Sequence, residues 1–230
     1  MMFSLWINNY LVNISLIITA FLTLLLIAFP ELDISFSQLF FFEENGFIYK
    51  ENFLVYQIHA LLPSLTKLVT LICLIYLVYI AIKHRSYKRI LRSGVFFLVI
   101  AAAIAPGFVV NEVFKENFGR ARPRHIEEFN GQREFTGAFT MSDQCERNCS
   151  FSSGHAAMGY FLTAIAYTTN LLYFNRIYLA GIVFGSLVGL SRIVMGGHFL
   201  SDVLASAFVV LFLDHVIFIL WQMLIRNLKK

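Results

Sequence analysis

Long apolar runs separated by short polar stretches make up most of the chain. Six of them approach or exceed the roughly 20 residues that a helix needs to cross a bilayer. They lie at residues 10–29, 59–82, 94–114, 154–173, 177–195 and 199–225. In the third run, Pro106 and Gly107 predict a kink. The pattern predicts an all-α, polytopic membrane protein with six transmembrane helices in one bundle.

The polar stretch after the first run is acidic and unusually aromatic. Residues 31–58 carry eight Phe and Tyr side chains among several carboxylates. Aromatic rings concentrate at the membrane–water boundary, so we predict an interfacial helix here. The aromatic side chains could contact a lipid substrate or pack against the rest of the protein, and we favour packing.

Composition supports a membrane protein built as one domain. The chain is 58% hydrophobic and 14% charged, whereas an average soluble domain is roughly 25% charged. We expect a single domain over residues 1–230 with its polar motifs in a core at 94–225. The first run is too long for a signal peptide and has no cleavage pattern after it, so we expect it to be retained. The basic residues are not gathered on a soluble domain with aromatic partners, which argues against nucleic-acid binding.

The distribution of charge predicts the orientation. One predicted side carries nine basic residues and no acidic residue, whereas the other carries eight basic residues together with nearly all the acidic ones. The short basic loop at 83–92 is of the kind that determines topology. We therefore expect both termini in the cytoplasm and the long loop 115–153 outside.

Three groups of polar residues reach this outer face in the six-helix topology. They are Lys115 with Arg122, then Ser153-Gly154-His155 at the start of the fourth run, then Arg192, His198 and Asp202 around the start of the sixth. A helix start presents free N–H groups that favour an anion, and a serine and a glycine allow a close approach. The convergence of the three groups predicts one site.

The chemistry that suits this set is phosphoryl transfer. Its transition state spreads negative charge over three oxygens, which Lys115, Arg122 and Arg192 would neutralise. Asp202 lies one helical turn after His198, so it can hold one imidazole N–H and leave the other nitrogen as a nucleophile. His155 would protonate the leaving oxygen. Taken singly, these residues are more often helix caps, topology determinants, structural pairs or a lipid-headgroup patch.

The order and spacing of these motifs resemble the type-2 phosphatidic acid phosphatase superfamily. Lys115 is followed after six residues by Arg122-Pro123, and Ser191-Arg192 is followed after five by His198 and after three more by Asp202. The resemblance implies a bacterial inner-membrane lipid phosphatase without metal or cofactor, acting at the periplasmic side through a phosphohistidine at His198. Lys115, Arg122, Ser153, Gly154 and Arg192 would hold the phosphate. The chain departs from the family pattern at Ser152, where proline is usual.

Further stretches are similar to the bacterial lipid A phosphatases, the 4′-phosphatases especially. They are residues 29–33, 105–111, 128–131 and 144–151. The similarity implies lipid A as substrate, with the 4′-phosphate favoured over the 1-phosphate. Phosphatidylglycerophosphate and undecaprenyl diphosphate are alternative substrates, and phosphate transfer to another lipid is an alternative reaction. The oligomeric state is not predicted.

A non-catalytic transporter is the alternative from another functional class. It would need ionisable residues along a path through the spans. Only Lys67, Glu112, Asp214 and His215 qualify, which disfavours transport. A vanadium haloperoxidase shares the phosphate-binding pattern but is expected to be soluble.

Cys145 and Cys149 lie together in the long outer loop. In an oxidising periplasm they could form a disulfide, provided that the backbone turns suitably between them. A zinc site with His155 is the other interpretation.

Overall fold

The computed structural model describes residues 9–47 and 52–228, apart from the side chains of Leu54 and His59. Over these ranges the chain is helical and its only β-pairing is in isolated bridges, so the all-α prediction is confirmed there. The helices are α1 Tyr10–Ala28, α2 Glu31–Gln38, α3 Phe53–His84, α4 Tyr87–Arg92, α5 Gly94–Ala102, α6 Gly154–Tyr160, α7 Thr163–Ala166, α8 Leu171–Val194 and α9 Leu200–Asn227.

Five helical stretches are long and apolar enough to cross a membrane. They are Tyr10–Ala28, Val55–His84, Gly94–Asn117, Leu171–Val194 and Leu200–Asn227. They correspond to five of the six predicted spans. Side-chain caps fix where several of them begin. Asn9 accepts a hydrogen bond from the Leu11 amide at 2.9 Å, and Asn170 accepts one from the Tyr173 amide at 3.3 Å, which satisfies amides that a helix start leaves free.

The predicted fourth span, 154–173, is not one continuous helix. It is divided into α6 and α7, with hydrogen bonds from Leu162 N to Gly159 O and from Ala164 N to Phe161 O between them. These bonds close tighter turns than an α-helix does. The Thr163 hydroxyl also donates to the Tyr160 carbonyl at 2.8 Å. Hydrophobic periodicity carries no signal for this change of winding, so the prediction of a regular helix was wrong.

The broken segment nevertheless runs antiparallel along α8. Near the end of the segment that carries His155, a Cβ on Gly159 would lie 2.8 Å from the Cα of Gly185. Further along, a Cβ on Gly181 would lie 2.7 Å from the backbone nitrogen of Thr163. Small residues at these positions let the two backbones touch, as is common between helices in membranes. Residues 154–170 therefore connect the end of the bundle that carries His155 to the start of α8.

Pro106 and Gly107, where the sequence predicts a kink, lie within a π-helix. Helix α5 continues as π-helix Ala103–Phe114, which ends in a single α-turn, Lys115–Asn117. Pro106 has no N–H to donate to the preceding turn. The Asn111 side chain donates to the Pro106 carbonyl at 2.6 Å. A π-helix has more residues per turn than an α-helix, so this winding changes the side of the helix on which Lys115 lies.

The aromatic segment forms a shorter helix than predicted. Helix α2 ends at Gln38, residues 39–47 are not helical, and residues 48–51 lie outside the described part. Phe41 and Phe47 are buried and pack with Phe129 under the loop that follows α5, with ring centroids 5.1 and 5.3 Å from that of Phe129. For these two rings, the structure shows the packing that we favoured.

The end of the bundle opposite His198 gathers both described chain ends. Asn9 donates to the side chain of Asn175 at 3.0 Å, which ties the start of α1 to the first turns of α8. Arg92 donates to the carbonyl of Leu228 at 2.7 Å, and Trp221 donates to that of Leu91. The loop around α4 and the end of α9 therefore lie together.

Candidate active site

A cavity of about 280 Å³ opens where the loop that follows the π-helix and its α-turn meets the start of α6 and the end of α8. It is lined by Tyr56, Lys115, Arg122, Arg124, Asn148, His155, Arg192 and Met195. Four of these side chains are cationic and none is acidic. Four residues predicted from the sequence, Lys115, Arg122, His155 and Arg192, are thus brought together here. Such a cavity attracts an anion with several oxygens.

His198 is buried in the turn between α8 and α9. It does not itself line the cavity, but Arg122 and Arg192, which do, are close enough to affect its charge. Its Nδ1 lies 2.7 Å from the carbonyl oxygen of Ser150. A carbonyl can only accept a hydrogen bond, so Nδ1 carries the proton and Nε2 has the free lone pair. Nε2 is buried and has no hydrogen-bond partner among the described residues.

The electrostatic surroundings keep this imidazole neutral. Burial lowers the pKa of His198 well below its usual value, and the neighbouring Arg122 and Arg192 lower it further, while Asp202 opposes them. A neutral imidazole whose Nε2 lone pair has no hydrogen-bond partner is the form that attacks phosphorus. Burial and the charge of Arg124 lower the pKa of Arg122 to about 10, so Arg122 remains cationic at neutral pH.

The spacing predicts that Asp202 holds the imidazole of His198 directly, but the structure places Asp202 differently. Its Oδ2 is 3.6 Å from His198 Nδ1, beyond a good hydrogen bond. The same oxygen accepts from the Ser150 hydroxyl at 2.5 Å and from the Phe199 amide at 2.8 Å. Ser150 therefore holds both groups, with its carbonyl on the imidazole and its hydroxyl on the carboxylate. The sequence analysis missed Ser150.

Two further charged residues that the sequence analysis did not single out lie behind Asp202. Arg120 donates to Asp202 Oδ1 at 2.6 Å and to Asp33 Oδ2 at 2.8 Å. All three side chains are fully buried. The pKa of Asp33 is raised by burial and by the charge of Asp202, although the charge of Arg120 and hydrogen bonds from Arg120 and Ser201 oppose this rise.

Ser153 and Gly154 are buried at the start of α6, and neither lines the cavity. The Ser153 hydroxyl accepts a hydrogen bond from the Ala156 amide at 3.4 Å, so it caps this helix. A Cβ on Gly154 would lie 2.4 Å from Asn111 Oδ1, so a larger residue would collide with the π-helix. The role of both residues in holding phosphate stays a prediction.

Arg122 is oriented by one residue of the outer loop. It donates from Nη2 to the Asn148 carbonyl at 2.7 Å and to the Asn148 side-chain oxygen at 2.8 Å. Asn148 has φ +54°, a left-handed conformation that asparagine tolerates better than most residues. A disulfide joins Cys145 to Cys149 around it.

Among the described residues there is no cluster of three or more His, Cys, Asp or Glu that would suit a metal.

Opening this disulfide should weaken substrate binding. In the Cys145→Ser/Cys149→Ser double variant, Asn148 loses its constraint and Arg122 its fixed direction. We expect KM to rise about fivefold, the equivalent of one lost hydrogen bond, with kcat nearly unchanged. Steady-state kinetics on a lipid phosphomonoester would measure this. Cys73→Ser, which changes a free cysteine in α3, is the control. An unchanged KM in the double variant would contradict this prediction.

The model of the PAP2 superfamily matches residues 94–226, more than half of the chain. The chain belongs to the PAP2 superfamily. This confirms the resemblance drawn from the motifs, and all three motif groups lie inside the matched range.

Three similar proteins carry the same description, lipid A 4′-phosphatase. The protein from Francisella tularensis subsp. novicida is 33% identical over 198 residues, covering 83% of this chain and 86% of the relative. Those from Rhizobium etli and Rhizobium leguminosarum are 32% and 30% identical, covering 76% of this chain and 74% and 81% of the relatives. No solved structure matches the chain significantly.

Family and relatives together identify the chain as a phosphoric monoester hydrolase of the PAP2 type. Its apolar helices and bacterial relatives make it a multi-pass bacterial membrane protein that acts on a phosphorylated lipid.

Proposed function

We propose that the chain removes the 4′-phosphate from lipid A at the periplasmic face of the inner membrane, through a phosphohistidine intermediate. The observation that carries the mechanism is the lone Nε2 of His198, buried and without a partner among the described residues. Two of the four cations that line the cavity, Arg122 and Arg192, are close enough to His198 to lower its pKa. The name shared by the three relatives supports the substrate and the position of its phosphate.

In the first step, His198 Nε2 attacks phosphorus and the bond from phosphorus to the sugar oxygen breaks. His155, which lines the cavity, gives its proton to the departing oxygen. Lys115, Arg122 and Arg192 neutralise the three equatorial oxygens. In the second step His155 accepts a proton from water as the water attacks phosphorus. The N–P bond breaks and inorganic phosphate leaves. Because side chains supply the positive charge, the mechanism needs no metal.

The proposed orientation places six crossings in the membrane, with residues 154–170 as the fourth. The end that gathers both described chain ends also carries the basic residues around α4 and lacks acidic ones there. By the positive-inside rule this end faces the cytoplasm. The cavity and the Cys145–Cys149 disulfide then face the periplasm, where disulfides persist.

Lipid A mass spectra test this proposal. Expression in a bacterial host with bisphosphorylated lipid A should remove one phosphate, and fragmentation should assign the loss to the 4′ sugar. Purified protein should release phosphate from the same lipid equally well in EDTA. Loss of the 1-phosphate would contradict the regiochemistry, and loss of activity in EDTA would contradict the metal-free mechanism. Activity only on phosphatidylglycerophosphate or undecaprenyl diphosphate would contradict the substrate.

A further inference from the structure

A buried chain of charges extends from the catalytic centre into the N-terminal segment. Arg120 is 0% exposed and bridges Asp33, on α2, to Asp202, on α9. Its Nε donates to the carbonyl of Thr136 at 2.7 Å. The guanidinium carbon lies 4.1 Å from the centre of the Phe199 ring and 5.4 Å from that of Phe135. Every face of this cation is therefore occupied by protein.

Asp33 also holds the first turn of α9, the helix that carries Asp202. Its Oδ1 accepts from the Ser201 amide at 2.8 Å, and its Oδ2 accepts from the Ser201 hydroxyl. That amide is one of those that a helix start leaves without a partner. With Arg120, three groups donate to this carboxylate, an arrangement that favours its ionised form. Asp33 lies outside the range matched by the family model.

We propose that Asp33 and Arg120 are positioning residues that set both the orientation of Asp202 and the net charge behind His198. Arg120 fixes Asp202 directly, and Asp33 acts through Arg120 and through the first turn of α9. The inference rests on the proposed roles of His198 and Asp202. The aromatic segment after α1 thereby contributes to the chemistry as well as to packing.

The charges that face His198 come from several elements. Asp202 lies on the next helix, Arg122 on the loop after α5 and Arg192 at the end of α8. Lys115 and His155 line the adjoining cavity. Behind Asp202, the ionised group of Asp33, Arg120 and Asp202 carries a net charge of −1, because two carboxylates surround one guanidinium. This net charge partly offsets the cations of the cavity.

Substitution of the two residues should shift the pH dependence in opposite directions. His198 must be neutral to attack, so kcat/KM falls as the pH drops through the pKa of His198. Arg120→Met removes one positive charge from the group, which favours the imidazolium and moves this acid limb to higher pH, down to the pH at which Asp33, now without its cation, takes up a proton. Asp33→Asn leaves the group with no net charge and moves the acid limb to lower pH. The double variant restores −1, so its acid limb should return towards that of the wild type.

The rates provide a second readout. Asp33→Asn keeps an oxygen for the Ser201 amide but loses the ion pair. We expect kcat to fall roughly 10- to 100-fold, the range known for residues that orient metal ligands through hydrogen bonds, with KM nearly unchanged. Arg120→Met should be worse, because it leaves two buried carboxylates without a cation. Adding Asp33→Asn to it should therefore raise both kcat and the yield of folded protein.

Asp214→Asn is the matched control. Asp214 is also fully buried in α9, about 18 Å from Asp202 at the rise of 1.5 Å per residue of an α-helix. This control should keep the wild-type kcat and acid limb. If Arg120→Met yields no folded protein, recovery of folded, active protein in the double variant still tests the coupling.

Two results would overturn the inference: a wild-type kcat and acid limb in Asp33→Asn, or losses that simply multiply in the double variant. The proposed function is tested separately by the wild type and His198→Ala. An active wild type and an inactive His198→Ala would support it whatever the Asp33 variants show.

Discussion

Phosphate release should fall by at least about 10⁴-fold when His198 is replaced by alanine, because the attacking nitrogen is lost. Among the described residues that line the cavity, the one other imidazole is His155, which the proposed mechanism uses as the proton donor. The remaining nitrogen-bearing side chains there are cations or the amide of Asn148. The measurement is release of inorganic phosphate from bisphosphorylated lipid A in detergent, with EDTA present.

The matched control is His215→Ala, which removes another histidine close to His198 in sequence. His215 Nδ1 lies 3.1 Å from the Tyr167 hydroxyl, within the apolar part of the bundle. It should keep wild-type activity. With a radiolabelled substrate, rapid acid-free quenching should show label on the wild type but not on His198→Ala. Substantial turnover by His198→Ala would exclude His198 as the nucleophile.

Span positions were predictable because crossing a bilayer needs a long apolar run, and such runs are visible in the sequence. The internal winding of the spans was less predictable. Asn111 bonds to the Pro106 carbonyl and Thr163 bonds to the Tyr160 carbonyl. These bonds accompany the π-helix and the broken helix, and hydrophobicity does not reveal either of them. Of these two irregular stretches, only the first had a signal in the sequence, in Pro106 and Gly107.

Residues of the candidate site were predictable where their spacing along the chain matches the motifs of the family. His198 and Asp202 are one helical turn apart, and Lys115 precedes Arg122 by seven positions. Asp33 has no such relation, because it meets Arg120 across 87 positions of sequence. Arg120 itself is one of three arginines in 120–124, and neither charge nor spacing distinguishes the buried one. Ser150 acts partly through its backbone carbonyl, which no side-chain pattern reveals.

Arg192→Gln should lower kcat/KM by about 10³- to 10⁵-fold, the range for arginines that stabilise a phosphoryl-transfer transition state. Arg192 is only 2% exposed, and its Nε has no hydrogen-bond partner among the described residues. Its Nη1 contacts the sulfur of Met195 at 3.3 Å, a weak acceptor. A Cβ on Gly197 would lie 2.5 Å from its Nη2, so the glycine leaves room for the guanidinium. The planar donors are thus in place for oxygens that arrive with the substrate.

Two variants separate the charge of Arg192 from its geometry. Arg192→Lys keeps the cation but loses the planar pair of donors, so it should recover only part of the loss. Arg176→Gln changes an exposed arginine near the other end of α8 and should have no effect. Orthovanadate, which adopts the five-coordinate geometry of the transition state, should lose affinity for Arg192→Gln more than inorganic phosphate does. Equal losses for both anions would instead assign Arg192 to ground-state binding, because a group that acts in the transition state must discriminate between them.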